Sequence, residues 1–257
     1  MHSLKLVGAG MREVHAVDFV GQRESPSLLP GQTERFSRVA GALGETNWRT
    51  LTELALCVIG VGRTGSLVAG SLAKEGVQRL TLVDGDILER HNLDSMDAVH
   101  ETDVGQFKVK AVADNLRKDF PEIHITSLPQ SVITMEAVML VKEADVLICC
   151  VDNDAARLVA GALACVYAKP LLDIGTGILH RETAPTQEMG ADIRLILPGE
   201  GCILCYGGLA NLEGFFGMGR ARIAGISPSL STNMARYIET LDIIPGIPSL
   251  MILAILF

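Results

Sequence analysis

Between Ala55 and Lys74 the chain passes from a short apolar run, Ala55-Leu-Cys-Val-Ile59, through Gly60-Val-Gly62-Arg-Thr-Gly65, into an apolar-patterned stretch over 66–74 that Gly76 stops. No other feature narrows the possible folds so far. Strand, glycine loop and helix in that order fit G-x-G-x-x-G, in which glycines permit a tight turn and let backbone N–H groups approach a phosphate at the helix N-terminus. The plain alternative, a tight glycine turn with no ligand, is weakened by the strand before and the helix after. Asp84 ends a second strand, Leu80-Thr-Leu-Val-Asp84, 24 positions after Gly60. That is close to the spacing at which a carboxylate accepts hydrogen bonds from a ribose. These residues admit NAD, FAD or ATP.

The same alternation continues downstream, with a helix expected around 108–118, a strand over 123–128, an unbroken apolar run over 146–151 and a further strand over 170–174. Apolar runs without alternation belong to strands covered on both faces. The expected fold is therefore α/β and Rossmann-like: a mostly parallel twisted sheet with helices on both faces. From Gly190 onward the pattern changes to an apolar run over 193–198, a Cys-x-x-Cys pair, a Gly-rich stretch and a helix near 229–241, which predicts a smaller C-terminal sheet and helix region. Residues 1–50 read as an N-terminal arm with a short helix over 34–43, and Trp48 is expected to pack that arm onto the core. Residues 51–257 read as the nucleotide-binding domain. Its part from 190 to 257 is expected to be incomplete, because the chain stops on Leu253-Ala-Ile-Leu-Phe257 without polar residues.

Composition excludes several classes. With 257 residues and 48% hydrophobic side chains the chain can bury a large core. A net charge of -8 argues against a surface that wraps a phosphate backbone, so nucleic acid is not an expected partner. No apolar run of signal-peptide length follows Met1, which favours a cytoplasmic location. The apolar segment over 243–257 is too short to span a bilayer and carries Pro245 and Pro248, so no membrane is expected. Four of the six cysteines lie in apolar runs, where a buried free thiol in a reducing compartment is the ordinary reading.

Three further segments fall in register: Asp84-Gly-Asp86-Ile-Leu-Glu-Arg-His-Asn92-Leu, Val104-Gly-Gln-Phe-Lys108 and Cys150-Val-Asp152-Asn153. Here the sequence resembles the family of ThiF, MoeB and HesA, bacterial relatives of ubiquitin-activating enzymes, whose pattern runs D-x-D-x-V-x-x-x-N-L, then V-G-x-x-K, then Asp-Asn after a strand. Arg35-Phe-Ser-Arg38 adds the R-[YF]-x-R segment that the family carries upstream of its glycine loop. The resemblance implies ATP-dependent adenylylation of a carboxylate with release of pyrophosphate, the acceptor being the C-terminal Gly of a small ubiquitin-like or sulfur-carrier protein. It further implies a homodimer in which Arg38 reaches the partner's ATP phosphates. Lys108 would bind phosphate oxygens, Asp152 would hold Mg²⁺, Asp84 the ribose and Asn92 the phosphate region. Gly60, Gly62, Gly65 and Asp86 complete that nucleotide-binding set. These residue types suit the chemistry on their own terms. A carboxylate is already anionic, so its attack on a phosphate needs charge neutralisation and alignment more than a general base. Read plainly, Asp152 is a helix N-cap and Lys108 a solvated helix residue.

The chain departs from the family pattern in three places. Arg63 stands where the family has Gly, and its side chain could crowd ATP or supply a cation to it. Asp94-Ser95-Met96 stands where the family reads x-R-Q, so a phosphate-binding Arg is absent there and Arg63 or Arg90 is the expected substitute. Cys202-Ile-Leu-Cys205 has half-site spacing for tetrahedral zinc, but neither a second Cys pair nor any His follows. A lost zinc site, a truncated chain, a nucleophilic cysteine that takes the acceptor as a thioester, and two small packed side chains all stay open. His91 and His180 read as structural or solvent-facing, and Phe215 and Phe216 as a turn with a hydrophobic plug. Three rivals remain. They are activation of a carboxylated tRNA nucleoside leading to cyclisation, a nicotinamide-dependent oxidoreductase, and a degenerate nucleotide-binding scaffold.

Overall fold

A computed structural model of the protein describes residues 32–179, 188–199, 201–207 and 209. The arm before residue 32, His180, Phe215, Phe216, the helix expected at 229–241 and the segment over 243–257 lie outside these residues. Among the described residues no helix is long and apolar enough to cross a membrane.

Six strands form one sheet: β1 (Ala55–Ile59), β2 (Arg79–Val83), β3 (His124–Leu128), β4 (Val146–Cys149), β5 (Leu171–Leu179) and β6 (Glu188–Ile196), in the spatial order β3-β2-β1-β4-β5-β6. Every pairing is parallel except β5 with β6. The run over 193–198 thus belongs to the antiparallel edge strand of the main sheet rather than to a sheet of its own among the described residues. The helices are α1 (Gln32–Arg35), α2 (Ser37–Leu43), α3 (Glu45–Glu53), α4 (Arg63–Lys74), α5 (Lys108–Asp119), α6 (Met135–Glu143) and α7 (Asp154–Val166).

Alternation along the strands explains why the central runs are apolar throughout. On β1, Leu56 and Val58 enter a core shared with Leu72 of α4 and Val112 of α5, while Cys57 and Ile59 enter a second core with Val141 of α6 and Ala160 of α7. On β4, Val146 and Ile148 face the first core and Leu147 and Cys149 the second. Successive side chains point to opposite faces, so a sheet covered on both sides cannot carry a polar face.

The helix expected over 34–43 is two short helices separated at Phe36, whose ring is buried against Trp48 with ring centroids 5.7 Å apart. Trp48 lies on α3, is fully buried, and donates its indole N–H to the Glu75 carbonyl at 2.9 Å. Two helices lack a counterpart in the sequence reading. One is α3; the other is α6, although Thr134 caps it by accepting from the Ala137 N–H.

Candidate functional site

The glycine loop leaves β1 where three strand ends meet. Gly60 N donates to the Val83 carbonyl at 2.9 Å, and Cys150 N donates to the Ile59 carbonyl at 2.8 Å. Gly60 has φ +85°, and a Cβ there would lie 2.9 Å from Val151 Cγ1. At Gly65 a Cβ would lie 1.9 Å from the Gly60 carbonyl oxygen, so only glycine lets the first turn of α4 close onto the loop. Gly62 differs: a Cβ there meets nothing within 4 Å. The protein's own packing does not demand glycine at 62, whereas a ligand approaching the backbone would.

The loop opens onto a cleft of about 1250 Å³ at the carboxyl ends of β1, β2 and β4, with Ile174 to Thr176 of β5 along one side. Ligands of open α/β sheets bind in this crevice, where the strand order reverses. The volume exceeds the roughly 300–1,000 Å³ of an ordinary small-molecule site. Gly60, Gly62, Arg63, Asp84, Asp86, Lys108 and Asp152 all line it.

Asp84 follows β2 and holds the loop. Its Oδ2 accepts from Val61 N at 2.7 Å and its Oδ1 from Asp86 N at 2.8 Å. Burial pushes this carboxyl above its usual value, and the two backbone N–H groups pull the other way. Each oxygen retains acceptor capacity beyond the bond it makes. Lys108 is the first residue of α5. Its Nζ bonds Asp86 Oδ2 at 2.8 Å and its backbone N donates to the Asp86 carbonyl at 2.9 Å. The ammonium is mostly covered while Asp86 is open to solvent, which stations the Lys108 ammonium at the cleft wall beside an exposed, exchangeable counterion.

Asp152 lies just past β4 and is exposed. The cap of α7 is Asn153, whose side chain accepts from Ala156 N at 2.8 Å. Asp152 is therefore not the N-cap that a plain reading makes it. Its carboxylate has one polar contact among the described residues, Asn153 Nδ2 at 3.5 Å. An exposed carboxylate of this kind suits Mg²⁺, which binds through one or two carboxylates plus phosphates and water. It does not suit a metal that needs an all-protein cage, and the described residues hold no group of three or more His, Cys, Asp or Glu placed for one.

Of the residues expected to bind nucleotide, Gly65, Asn92 and Arg38 stand outside the cleft lining. Gly65 supports the loop from behind. Asn92 Oδ1 accepts from Glu89 N at 2.9 Å and closes a short turn, as part of a reciprocal cap. Arg38 is exposed on α2. In the same segment Arg35 sits 4.6 Å above the Phe120 ring and pairs with Glu122 at 3.1 Å, so the two arginines differ: the first clamps α5 and the second points outward. Of the two substitutes for the absent phosphate-binding Arg, Arg90 pairs with Glu101 away from the cleft, while Arg63 begins α4, lines the cleft and is exposed.

None of the six thiols except Cys150 lines the cleft. Ile203 is buried over Gly161 of α7 and anchors the Cys-x-x-Cys turn there. Cys202 and Cys205 Sγ are 3.7 Å apart, and Cys165 Sγ approaches the Gly201 carbonyl at 4.0 Å. Burial pushes the Cys57 and Cys149 thiols up to about 12 and holds them unreactive near neutrality. At Cys202 burial acts in the same sense, but the N–H groups of Cys205 and Leu204 and the Cys205 thiol outweigh it, so its value falls below 9.0. Brief maleimide treatment of the native protein at pH 7, read by peptide mass spectrometry, is expected to label Cys202 before the other described cysteines and to spare Cys57 and Cys149. Equal labelling of all would contradict this ordering.

Sequence reasoning missed a buried ion-pair chain. Asp173 of β5 is fully buried between Arg157 of α7 and Arg194 of β6, and both arginines line the cleft. Burial pushes the Asp173 carboxyl up, against the pull of the two guanidiniums. The available signal was an acidic residue inside the apolar run Leu171-Leu-Asp-Ile174, since a buried carboxylate requires a cation.

Comparisons with known proteins bear on the family and the fold. The description of the ThiF family matches residues 36–218. "Adenylyltransferase and sulfurtransferase uba4" of Neosartorya fischeri is 33% identical over 154 residues, which cover 59% of this chain and 29% of the relative. "Adenylyltransferase and sulfurtransferase MOCS3" of Bos taurus is 32% identical over 148 residues, covering 57% and 32%. The chain thus matches about a third of these relatives' length. Among solved structures, the microcin C7 biosynthetic enzyme MccB in complex with N-formylated MccA superposes with TM-score 0.57 at 23% identity, covering 72% of this chain and 54% of that one. The E. coli tRNA N6-threonylcarbamoyladenosine dehydratase TcdA gives 0.54 at 23%, covering 60% and 68%. The two structures share the fold. With the family pattern matched over most of the described residues, and the glycine loop, Asp84, Lys108 and Asp152 brought to one cleft, the chain belongs to the ThiF family.

Proposed function

We propose that the chain activates a carboxylate by ATP-dependent adenylylation, with the C-terminal Gly of a small ubiquitin-like or sulfur-carrier protein as acceptor. The observation that carries this reading is the convergence on one cleft of a phosphate-approachable loop at a helix N-terminus, the stationed cation Lys108 and the exposed carboxylate Asp152. A nicotinamide site has no use for the last two.

In the reaction an acceptor carboxylate oxygen attacks the α-phosphorus of ATP. The bond from that phosphorus to the bridging β-phosphate oxygen breaks, pyrophosphate leaves, and an acyl-adenylate remains. The backbone of Gly60–Gly65 receives the phosphates at the α4 N-terminus. Asp84 accepts from the ribose hydroxyls with its remaining lone pairs. Lys108 exchanges Asp86 for phosphate oxygens, and Arg63 adds a second cation from the first turn of α4. Asp152 would hold Mg²⁺, which when bound neutralises phosphate charge. Arg38 is exposed on α2 and reaches the phosphates of a second copy in a homodimer, as in the family pattern. Asn92 acts by holding the turn that follows Asp86.

Arg63→Ala is expected to slow acceptor-dependent exchange of labelled pyrophosphate into ATP about 10²-fold, the usual effect of removing one charge-stabilising donor. Full exchange in that variant would remove Arg63 from the site. The acceptor class is tested on the wild-type protein with a ubiquitin-like carrier ending in Gly-Gly. Exchange is expected with the free C-terminus and none with the same carrier amidated there. Exchange supported instead by a tRNA bearing a nucleoside carboxylate would replace the protein acceptor with the tRNA one, to which the fold shared with TcdA gives standing.

A further inference from the structure

Asp152 stands between two residues that are each tied down. After β4 the chain leaves the sheet, and the Val151 carbonyl no longer faces a neighbouring strand. Arg157 Nη2 donates to it at 2.7 Å. On the other side, the Asn153 side chain caps α7, and the Asn153 carbonyl accepts from Arg157 N at 3.2 Å. The Arg157 guanidinium is placed in turn by Asp173: its Nε lies 3.1 Å from Asp173 Oδ1, as an ion pair not aligned as a hydrogen bond. Asp173 Oδ2 is held by Arg194 Nη1 at 3.0 Å, and Arg194 also pairs with Asp192. Gly175 leaves room for this arrangement, since a Cβ there would already touch the Arg157 guanidinium at 3.4 Å.

Stability does not account for this chain of charges. Burying the Asp173 carboxylate and covering most of the two guanidiniums carries a desolvation cost, and apolar side chains of similar volume commonly hold a sheet as well or better. What apolar side chains cannot do is donate a hydrogen bond to the Val151 carbonyl while pairing in charge with a buried carboxylate, which the Arg157 guanidinium does. We propose that Arg157 and Asp173, backed by Arg194, are positioning residues that fix the Val151–Asp152 peptide and thereby set the affinity of Asp152 for the metal of the nucleotide complex. This rests on the reading of Asp152 as the Mg²⁺-holding carboxylate. The chain tethers β4, β5, β6 and α7 to one carboxylate, so the antiparallel edge of the sheet, remote from the glycine loop in strand order, contributes to the nucleotide site.

The test separates metal binding from nucleotide binding. Mn²⁺ serves as the probe, titrated by electron paramagnetic resonance into full-length protein saturated with a non-hydrolysable ATP analogue. Binding of the analogue alone is measured by calorimetry in EDTA. Arg157→Lys keeps the charge but loses the planar fork. It is expected to weaken Mn²⁺ about 10-fold, in the range found when residues that orient a metal ligand are changed, with metal-free analogue binding within about twofold of wild type. Arg194→Lys, one step further along the chain and at the sheet edge, is expected to show a smaller loss in the same direction, and it carries the test if Arg157→Lys does not fold. A folded variant that melts earlier yet keeps the wild-type ratio of Mn²⁺ to analogue affinity would make the ion pairs purely structural and overturn the proposal. Asp152→Ala in the same series distinguishes the two failures. If it too leaves Mn²⁺ affinity unchanged, the metal reading of Asp152 falls and this inference falls with it; if it abolishes Mn²⁺ binding while Arg157→Lys changes nothing, only the positioning role is lost.

Discussion

Asp152→Ala and Lys108→Ala are each expected to lower acceptor-dependent pyrophosphate exchange by at least about 10²-fold, by different routes that separate cleanly. Lys108→Ala removes the one cation that both the α5 N-terminus and Asp86 hold at the cleft wall, so nucleotide affinity itself should drop with or without divalent metal. Asp152→Ala should spare binding of the metal-free nucleotide and abolish the gain that Mg²⁺ gives. The fold should survive both changes. Asp152 is exposed and does not cap α7, and loss of the Lys108 side chain frees an already exposed Asp86. Exchange within about twofold of wild type in either variant, on a scale where removing one such donor costs about 10²-fold, would remove that residue from the chemistry.

Gly65→Ala should do comparable damage through the backbone. The added Cβ would lie 1.9 Å from a carbonyl oxygen of the loop, and neither atom sits at the end of a flexible side chain that could swing aside. Either α4 retreats or the loop flattens. Overpacking of this kind costs about 3 kcal/mol or more, which in a domain of this size lowers Tm by roughly 6–12 °C. A shift of about 1 Å in the helix N-terminus would further weaken ATP handling about 10²-fold. Gly62→Ala is the control. Its Cβ meets nothing within 4 Å of protein, so stability should fall only about 1 kcal/mol at this helix cap while nucleotide binding suffers. Equal thermal loss in the two variants would contradict the different roles assigned to the two glycines.

The parallel core was legible because its signals are local: an apolar run, a glycine loop, a helix stop. Gly60, Gly62, Asp84, Lys108 and Asp152 were legible as a set only through spacing, since each has a bland reading when taken alone. Where the reading slipped, the cause was tertiary. Asp152 and Asn153 are adjacent polar residues before a helix, and which of them caps it depends on the exit angle of β4; the structure gives the cap to Asn153. Asn92 fits the family spacing, but its side-chain oxygen is engaged in closing a turn. Asp173, Arg157 and Arg194 lie on three different elements, and only the antiparallel pairing of β5 with β6, register Asp173 to Arg194, brings Asp173 and Arg194 side by side. α3 went unread because it carries only two large apolar side chains, Trp48 and Leu51, and α6 because Met135, Val138, Met139 and Leu140 surround the buried Ala137 and Val141 and blur its inward face.

Calorimetry on the wild-type protein, with Mg-ATP and NAD as the two ligands, tests most directly whether this cleft is an adenylylating site. Binding heat with Mg-ATP and none with NAD is the predicted result. Heat with NAD and none with Mg-ATP would turn the cleft into a nicotinamide site, and silence with both would leave a scaffold of the ThiF family without its chemistry.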